Sequence, residues 1–139
     1  MKKLFILCAV LFAAGCSADN APAVGADRDA HGCISSAGYT FSALKDKCVR
    51  LWEEGVTLLP SDMQDGAVMA AYAILQDSKG ELYLPGRTTP ITMGQQYVGG
   101  QAQYNATDAS GWKLTQTGPS SWQLENNGAV KYQTAKALN

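Results

Sequence analysis

The residue types that commonly carry enzyme chemistry are sparse in this chain of 139 residues. Its one histidine, His31, stands in a polar, linker-like stretch, so a Ser–His–Asp triad is not expected. Glu53 and Glu81 could form a glycosidase carboxylate pair by residue type alone, and nothing in the sequence places them across a cleft. The Gly99-Gly100 pair lacks the lysine of a phosphate-binding loop. We therefore expect no enzyme activity and no cofactor.

A metal site is not expected either. Cys33 and Cys48, with a single histidine, cannot complete a tetrahedral zinc site. Residues 27–32 begin like a calcium-binding loop, but position 12 of that loop would be Gly38, where calcium needs a bidentate glutamate.

The first sixteen residues have the pattern of an export signal. Lys2 and Lys3 precede an apolar run over residues 4–14, which is too short to span a bilayer as a stable helix. Residues 12–16, Phe-Ala-Ala-Gly-Cys, resemble the lipobox of bacterial lipoproteins. The resemblance implies cleavage before Cys16 and acylation of that cysteine with chains such as palmitate. Ser17 in the next position implies delivery to the outer membrane of a Gram-negative bacterium. The alternative is an ordinary cleaved signal peptide with an incidental Cys16.

On this interpretation the chain has three parts. We expect a signal peptide over residues 1–15, a lipidated flexible tether over residues 16–31 and a single domain over residues 32–139. The tether is rich in Ala, Asp, Gly and Pro and has no apolar period.

The cysteine count then predicts a disulfide. Of the four cysteines, Cys8 leaves with the signal and Cys16 carries lipid. Cys33 and Cys48 remain as an even pair in an oxidising compartment. Their bond would close a loop of roughly 15 residues and stabilise the domain by about 3 kcal/mol in the chain-entropy model.

The stretch around Cys48 has a helical pattern. Its apolar residues recur at i, i+4, i+7 and i+8 and so mark one helical face: Leu44, Cys48, Leu51 and Trp52. Gly55 can end such a helix. Arg50 is then expected to pair with Asp46 and Glu54 along the helix surface.

Beyond Gly55 the chain reads as short strands separated by turn residues. Residues 67–76 suit helix or strand by composition, and a hairpin across residues 77–80 favours strand. We expect an α+β fold, in which one N-terminal disulfide-stapled helix packs on a C-terminal antiparallel β meander of five or six strands. The meander would form a sheet or a small open barrel.

The positions of the apolar residues predict the strand register of the last hairpin. A three-residue loop, Asn126-Asn127-Gly128, would set Leu124 opposite Val130 and Trp122 opposite Tyr132, which keeps core residues on one face. A two-residue turn would instead set Leu124 opposite a lysine.

Aromatic residues are the candidates for binding. Tyr97 and Tyr104 flank the glycine pair, and Tyr39 and Arg50 are further candidates in the N-terminal stretch. Interfaces are enriched in tyrosine and arginine. The alternative is that the aromatic residues pack the sheet. The formal net charge is −1 and no basic stripe is present, so nucleic acid is not an expected partner.

Two family resemblances bear on function. One motif resembles uncharacterised lipoproteins of Gram-negative bacteria and is carried by Gly32-Cys33, residues 36–41 and residues 47–53. The anchor-plus-meander organisation is similar in style to membrane-bound inhibitors of C-type lysozyme. That family's Ser-Gly-x-x-Tyr motif is not met at residues 100–104, and Trp112 lacks the glycine that should follow three positions on.

We therefore expect a non-enzymatic lipoprotein, anchored in the outer membrane through Cys16 and facing the periplasm, that binds a protein partner or an envelope component. The alternatives are an inhibitor of an envelope-directed hydrolase such as lysozyme, and a purely structural envelope protein.

Overall fold

The computed structural model of the protein describes residues 27–63 and 68–135. The expected signal peptide, the lipidation site Cys16 and most of the expected tether lie outside the described residues. The described end of the tether contacts the domain, since Asp29 Oδ1 accepts hydrogen bonds from the backbone N–H groups of His31 and Cys33 at 2.8 and 2.9 Å.

In the described residues, eight strands form a closed antiparallel barrel, and two further strands form a hairpin outside it. The barrel strands follow one another around the wall in chain order, and the last closes the ring by pairing with the first. The outer hairpin comprises β1 (Tyr39–Ser42) and β2 (Lys47–Arg50), after a 3-10 turn at Ser35–Ala37 and before a single helical turn, α1 (Leu51–Glu54). The barrel strands are β3 (Val56–Pro60), β4 (Ala71–Gln76), β5 (Lys79–Tyr83), β6 (Ile91–Val98), β7 (Gln101–Ala106), β8 (Trp112–Gly118), β9 (Ser121–Asn126) and β10 (Ala129–Gln133). In the part of the chain that the structure describes, no helix is long and apolar enough to cross a membrane.

Successive side chains along each strand point to opposite faces of the sheet, so every second side chain lies inside the barrel. Leu114 and Leu124, for example, lie opposite each other on β8 and β9 and are both fully buried. The buried interior contains Leu58, Ala71, Ala73, Leu82, Ile91, Met93, Tyr104, Leu114 and Leu124. Larger, partly buried side chains pack against it, among them Trp112, Trp122 and Tyr132.

A second, smaller buried cluster lies outside the barrel wall. Ile74 and Glu81 are opposed on β4 and β5, on the face away from the barrel interior, and both are buried. Val49, Ser42 and Cys33 of the N-terminal segment are buried as well. The outer hairpin therefore covers this part of the wall.

The predicted N-terminal helix is wrong. Its sequence forms the β1–β2 hairpin, in which the β-branched residues Thr40 and Val49 are opposed, and only α1 is helical. Asp46 takes a φ of +52° in the turn between the strands. The apolar residues that suggested one helical face do not share a face, since Trp52 is 52% exposed and Leu44 lies in the turn.

The expected α+β fold class is wrong for the same reason and for a second one. The described residues are mostly β structure with almost no helix, and eight strands close into a barrel, rather than five or six forming a sheet or a small open barrel with a helix packed on it. Closure requires β10 to pair with β3, a contact between residues about seventy positions apart that local patterns do not reveal.

The predicted disulfide is confirmed. Cys33 and Cys48 are bonded, with Cα atoms 5.6 Å apart and a sequence separation of 15. The bond ties the segment before β1 to the middle of β2.

The predicted register of the last hairpin is wrong. The turn has two residues, Asn127-Gly128, both with positive φ (50° and 84°), as a tight primed turn requires. Val130 therefore lies opposite Glu125, and a bulge after it brings Tyr132 opposite Leu124. The bulge, rather than a longer turn, restores the pairing of core residues.

Candidate functional site

Three hairpin turns lie at one end of the barrel, because alternate turns of an antiparallel meander fall on the same side. They follow β4, β6 and β8 and consist of Asp77-Ser78, Gly99-Gly100 and Pro119-Ser120. We call this the hairpin end of the barrel.

The β6–β7 hairpin projects beyond its neighbour at this end. Pairing of β6 with β5 stops at Gly94–Lys79, whereas pairing with β7 continues to Val98–Gln101. The four additional residues correspond to roughly 13 Å of strand. The Gly99-Gly100 turn has φ values of 59° and 80°, which glycine adopts without strain. The hairpin is therefore a regular, well-paired projection.

Tyr97 and Tyr104 do not form one exposed surface. Tyr97, on the projecting part, is 71% exposed, and Val98 beside it is 52% exposed. Tyr104 is 5% exposed and donates a hydrogen bond from its hydroxyl to the carbonyl of Asp77 at 3.1 Å. Burial, with smaller contributions from the charges of Tyr97 and Asp77, raises the pKa of Tyr104. Of the two candidates flanking the glycine pair, only Tyr97 is available to a partner.

Two open grooves flank the β8–β9 hairpin at the same end. The first lies where β7 and β8 diverge, because their pairing stops at Gln103–Thr115 although β8 continues to Gly118. It is lined by Gly100, Gln101, Gln116, Thr117, Gly118 and Pro119. The second lies beside β10 and is lined by Thr117, Ser121, Trp122, Gln123, Gln133, Thr134 and Ala135.

None of the described residues that line the two grooves is charged. The outer wall next to them is also uncharged along one row of cross-strand neighbours, which runs through Gln96, Gln103, Thr115, Gln123 and Gln133. Side-chain hydrogen bonds order the start of this row: Gln96 Nε2 donates to Gln103 Oε1 at 2.9 Å, and Gln103 Nε2 donates to Thr115 Oγ1 at 3.2 Å. Apart from the charged Asp77 and Lys79 at the first turn, the hairpin end thus presents amides, hydroxyls and the exposed Tyr97 and Val98.

Tyr39 and Arg50 lie on the outer hairpin, apart from the elements that carry Tyr97. They are cross-strand partners, with the Arg50 guanidinium carbon 4.6 Å from the centre of the Tyr39 ring. Arg50 also donates to the carbonyl of Ala37 at 3.1 Å and pairs with Glu53 at 3.0 Å. The Arg50 guanidinium is therefore engaged by contacts within the domain. Its ion-pair partner is Glu53 rather than the expected Asp46 or Glu54.

Sequence reasoning missed the role of Glu81. Its carboxylate accepts hydrogen bonds from Ser42 Oγ at 2.6 Å, the backbone N–H of Leu44 at 3.0 Å and the Tyr83 hydroxyl at 2.8 Å. Burial first, and then the hydrogen bond and charge of Glu81, raise the pKa of Tyr83 well above its ordinary value. The carboxylate is fully engaged and 5% exposed, so Glu81 does not face Glu53 across an open cleft. The sequence signal for this role was an acidic residue, Glu81, within a strand in which polar and apolar residues alternate.

His31 and the acidic residues near it do not assemble a metal site. The His31 ring stacks on Phe41 with centroids 3.9 Å apart. The Asp27 carboxylate accepts hydrogen bonds from the backbone N–H and the hydroxyl of Ser36, and these two bonds lower the pKa of Asp27. Within residues 27–63 and 68–135, no group of three or more His, Cys, Asp or Glu side chains is placed to hold a metal ion.

The comparisons with known proteins return no match: no protein-family model fits the chain, and no curated protein or solved structure is significantly similar to it.

Proposed function

We propose that this protein is a non-enzymatic envelope lipoprotein that binds a partner through the hairpin end of its barrel. The lipobox-like residues 12–16 support an anchor at Cys16 in the outer membrane, with the barrel facing the periplasm. The observation that carries the binding proposal is the projecting β6–β7 hairpin with Tyr97 71% exposed at its tip.

A tyrosine in this position suits a contact residue. Its ring offers a large amphipathic surface, and immobilising its two side-chain torsions on binding costs less entropy than ordering a long flexible side chain. The two-stranded, well-registered hairpin holds the ring in place before a partner arrives, which lowers the cost of association.

Photo-crosslinking tests the binding surface. A photoreactive amino acid replaces Tyr97 in the lipidated chain in cells, and a control variant carries it instead of Thr92, an exposed residue on the same strand. We expect discrete adducts from position 97 and none of the same size from position 92. Identical adducts from both positions, or none from position 97, would contradict the proposal.

Membrane fractionation tests the anchor. A Cys16→Ser variant should leave the membrane fraction, because the acyl chains that hold the protein there can no longer be attached. Retention of the variant in the membrane would show that the lipobox interpretation is wrong.

The second candidate function is inhibition of an envelope-directed hydrolase such as lysozyme. The projecting hairpin favours it, because a narrow, regular projection can enter a catalytic cleft. The purified, detergent-solubilised protein is titrated against C-type, G-type and I-type lysozymes, with Tyr97→Ala as the variant and Thr92→Ala as the control. Stoichiometric inhibition of one enzyme that only Tyr97→Ala abolishes would support this function. No inhibition at a large molar excess would remove it.

A further inference from the structure

We infer that the two grooves flanking the β8–β9 hairpin bind an uncharged polysaccharide chain. The inference rests on the proposed function, since it names the class of envelope component that the hairpin end would contact. Three features of the grooves carry it: their charge, their hydrogen-bonding groups and their aromatic residue.

The uncharged lining of the grooves favours a neutral ligand. Charged residues make up 17% of the chain, yet none of the described residues that line either groove is charged. An ionic ligand brought into these grooves would lose hydration without gaining an opposite charge, which is unfavourable. A neutral chain meets no such penalty.

The hydrogen-bonding groups suit sugar hydroxyls and acetamido groups. A glutamine amide donates and accepts at once, as does a hydroxyl, and so can satisfy a sugar hydroxyl in either orientation. Gln101 and Gln116 supply amides in the first groove, and Gln123 and Gln133 supply them in the second. Thr117 belongs to both grooves and connects them.

Trp122 supplies an apolar face in the second groove. Its backbone is held on both sides by Thr134, whose Oγ1 accepts from the Trp122 N–H at 3.0 Å and whose N–H donates to the Trp122 carbonyl at 3.0 Å. Its ring packs on Tyr104 with centroids 6.0 Å apart. The half-buried Trp122 is therefore held in place where it lines the groove, and its exposed part can contact the apolar C–H face of a sugar ring.

The extent of the grooves favours a chain over a single sugar. Together they run from β7 across β8 and β9 to β10, three strand spacings or roughly 14 Å. A protein segment is the competing ligand, but the cores of protein interfaces are enriched in aromatic and arginine side chains rather than in amides. The exposed Tyr97 hairpin, not the grooves, has the character of a protein contact.

Calorimetry with a matched pair of oligosaccharides tests the inference. The probes are the β-1,4-linked hexamer of N-acetylglucosamine, which is neutral, and its deacetylated counterpart, which is cationic, each titrated into the purified detergent-solubilised protein. We expect the neutral hexamer to bind with an affinity that changes less than twofold between 50 and 500 mM salt, as an interaction without ion pairs should. The cationic hexamer should bind at least tenfold more weakly.

Variants locate the binding. Gln101→Ala and Gln123→Ala should each weaken binding of the neutral hexamer at least fivefold. Gln76→Ala removes an exposed glutamine at the same barrel end but outside both grooves, and it should leave the affinity unchanged. Neither test position lies in the hydrophobic core, so the variants should fold, and their thermal unfolding checks this.

Three outcomes would overturn the inference: no binding of the neutral hexamer, equal or salt-sensitive binding of the cationic one, or full binding by both groove variants. A photoreactive residue at position 123 that yields only polypeptide adducts would assign the grooves to a protein instead. Loss of hexamer binding with crosslinking from position 97 intact would remove the inference alone. Loss of both would remove the proposed function as well.

Discussion

At the scale of single residues, Glu81 shows how one buried carboxylate can attach a hairpin to a barrel wall. Its two oxygens collect hydrogen bonds from Ser42, Leu44 and Tyr83, and the first two of these lie on or next to the outer hairpin. A buried carboxylate is tolerated only when such donors replace its lost hydration. If the carboxylate is removed, the Ser42 hydroxyl and the Leu44 N–H lose this acceptor, whereas the Tyr83 hydroxyl keeps the Phe41 carbonyl at 3.3 Å.

Replacement of Glu81 should therefore destabilise the fold. We expect Glu81→Leu to lower the free energy of unfolding by about 3 kcal/mol, because buried donors lose their acceptor, and Glu81→Gln to cost less because an amide oxygen remains. The control is Glu125→Leu, since the Glu125 ion pair with Lys113 is partly exposed to solvent and should contribute about 0–1 kcal/mol. Urea unfolding measures each variant. Equal losses at the two positions would contradict the interpretation.

The Tyr83 hydroxyl should make stability depend on alkaline pH. Burial and the adjacent Glu81 raise the pKa of Tyr83 above its ordinary 10.0, so the folded state holds this proton more tightly than the unfolded state does. The resulting stabilisation is present below that ordinary pKa and is lost as the pH rises above it. We expect Tyr83→Phe to lose less stability than the parent between pH 8 and pH 11, measured by urea unfolding. Parallel losses in the two proteins would rule out this linkage.

At the scale of elements, the outer hairpin is held to α1 by close packing at Gly38. The residue has a φ of +81°, and a Cβ there would lie 2.0 Å from the Trp52 ring. Gly128 in the last turn has a similar φ of +84° but open space around it. A comparison of alanine substitutions at Gly38 and Gly128 therefore separates the effect of backbone strain from the effect of contact with the Trp52 ring.

Gly128→Ala should destabilise the protein by about 1 kcal/mol through backbone strain alone. Gly38→Ala should cost about 1–3 kcal/mol more, because the added methyl also displaces the Trp52 ring. The extra destabilisation by Gly38→Ala relative to Gly128→Ala should disappear when both substitutions are made in a Trp52→Ala background. Thermal unfolding measures each variant. An excess that persists without the tryptophan ring would show that packing on Trp52 is not its cause.

At the scale of the whole molecule, the barrel has a weak seam. β10 and β3 are opposed only at Tyr132–Pro60 and Gln133–Leu59, and proline offers no N–H to the ladder. Ser61 adds two bonds next to the seam, donating from its N–H to the Lys131 carbonyl at 2.9 Å and from its hydroxyl to the Val130 carbonyl at 3.0 Å.

Amide hydrogen exchange should reveal this seam. We expect the amides of β10 to exchange faster than those of β7 and β8, because local opening starts where the fewest backbone bonds must break. Ser61→Ala should increase exchange in β10 without a comparable effect in β7. Uniform protection around the barrel would contradict the expectation.

Much of the local structure could be predicted from the sequence, whereas the assembly could not. The strand runs beyond Gly55 were found because apolar and polar residues alternate within a few positions of each other. The helix prediction failed because residues 44–52 form the turn after β1, strand β2 and the start of α1, and the same apolar spacing fits these elements when contacts from elsewhere in the chain bury β2. In the candidate site, Tyr97 and Tyr104 looked equivalent beside the glycine pair, and only one of them is exposed.

The sequence by itself determined the β character of the chain beyond Gly55 and the Cys33–Cys48 bond, since alternation is a local property and the pairing follows from counting cysteines. Only the tertiary structure decided that the strands close into a ring, that Glu81 is buried and that two grooves, whose described lining is uncharged, open at the hairpin end. The physical reason is that closure, burial and groove shape depend on contacts between residues far apart in the chain.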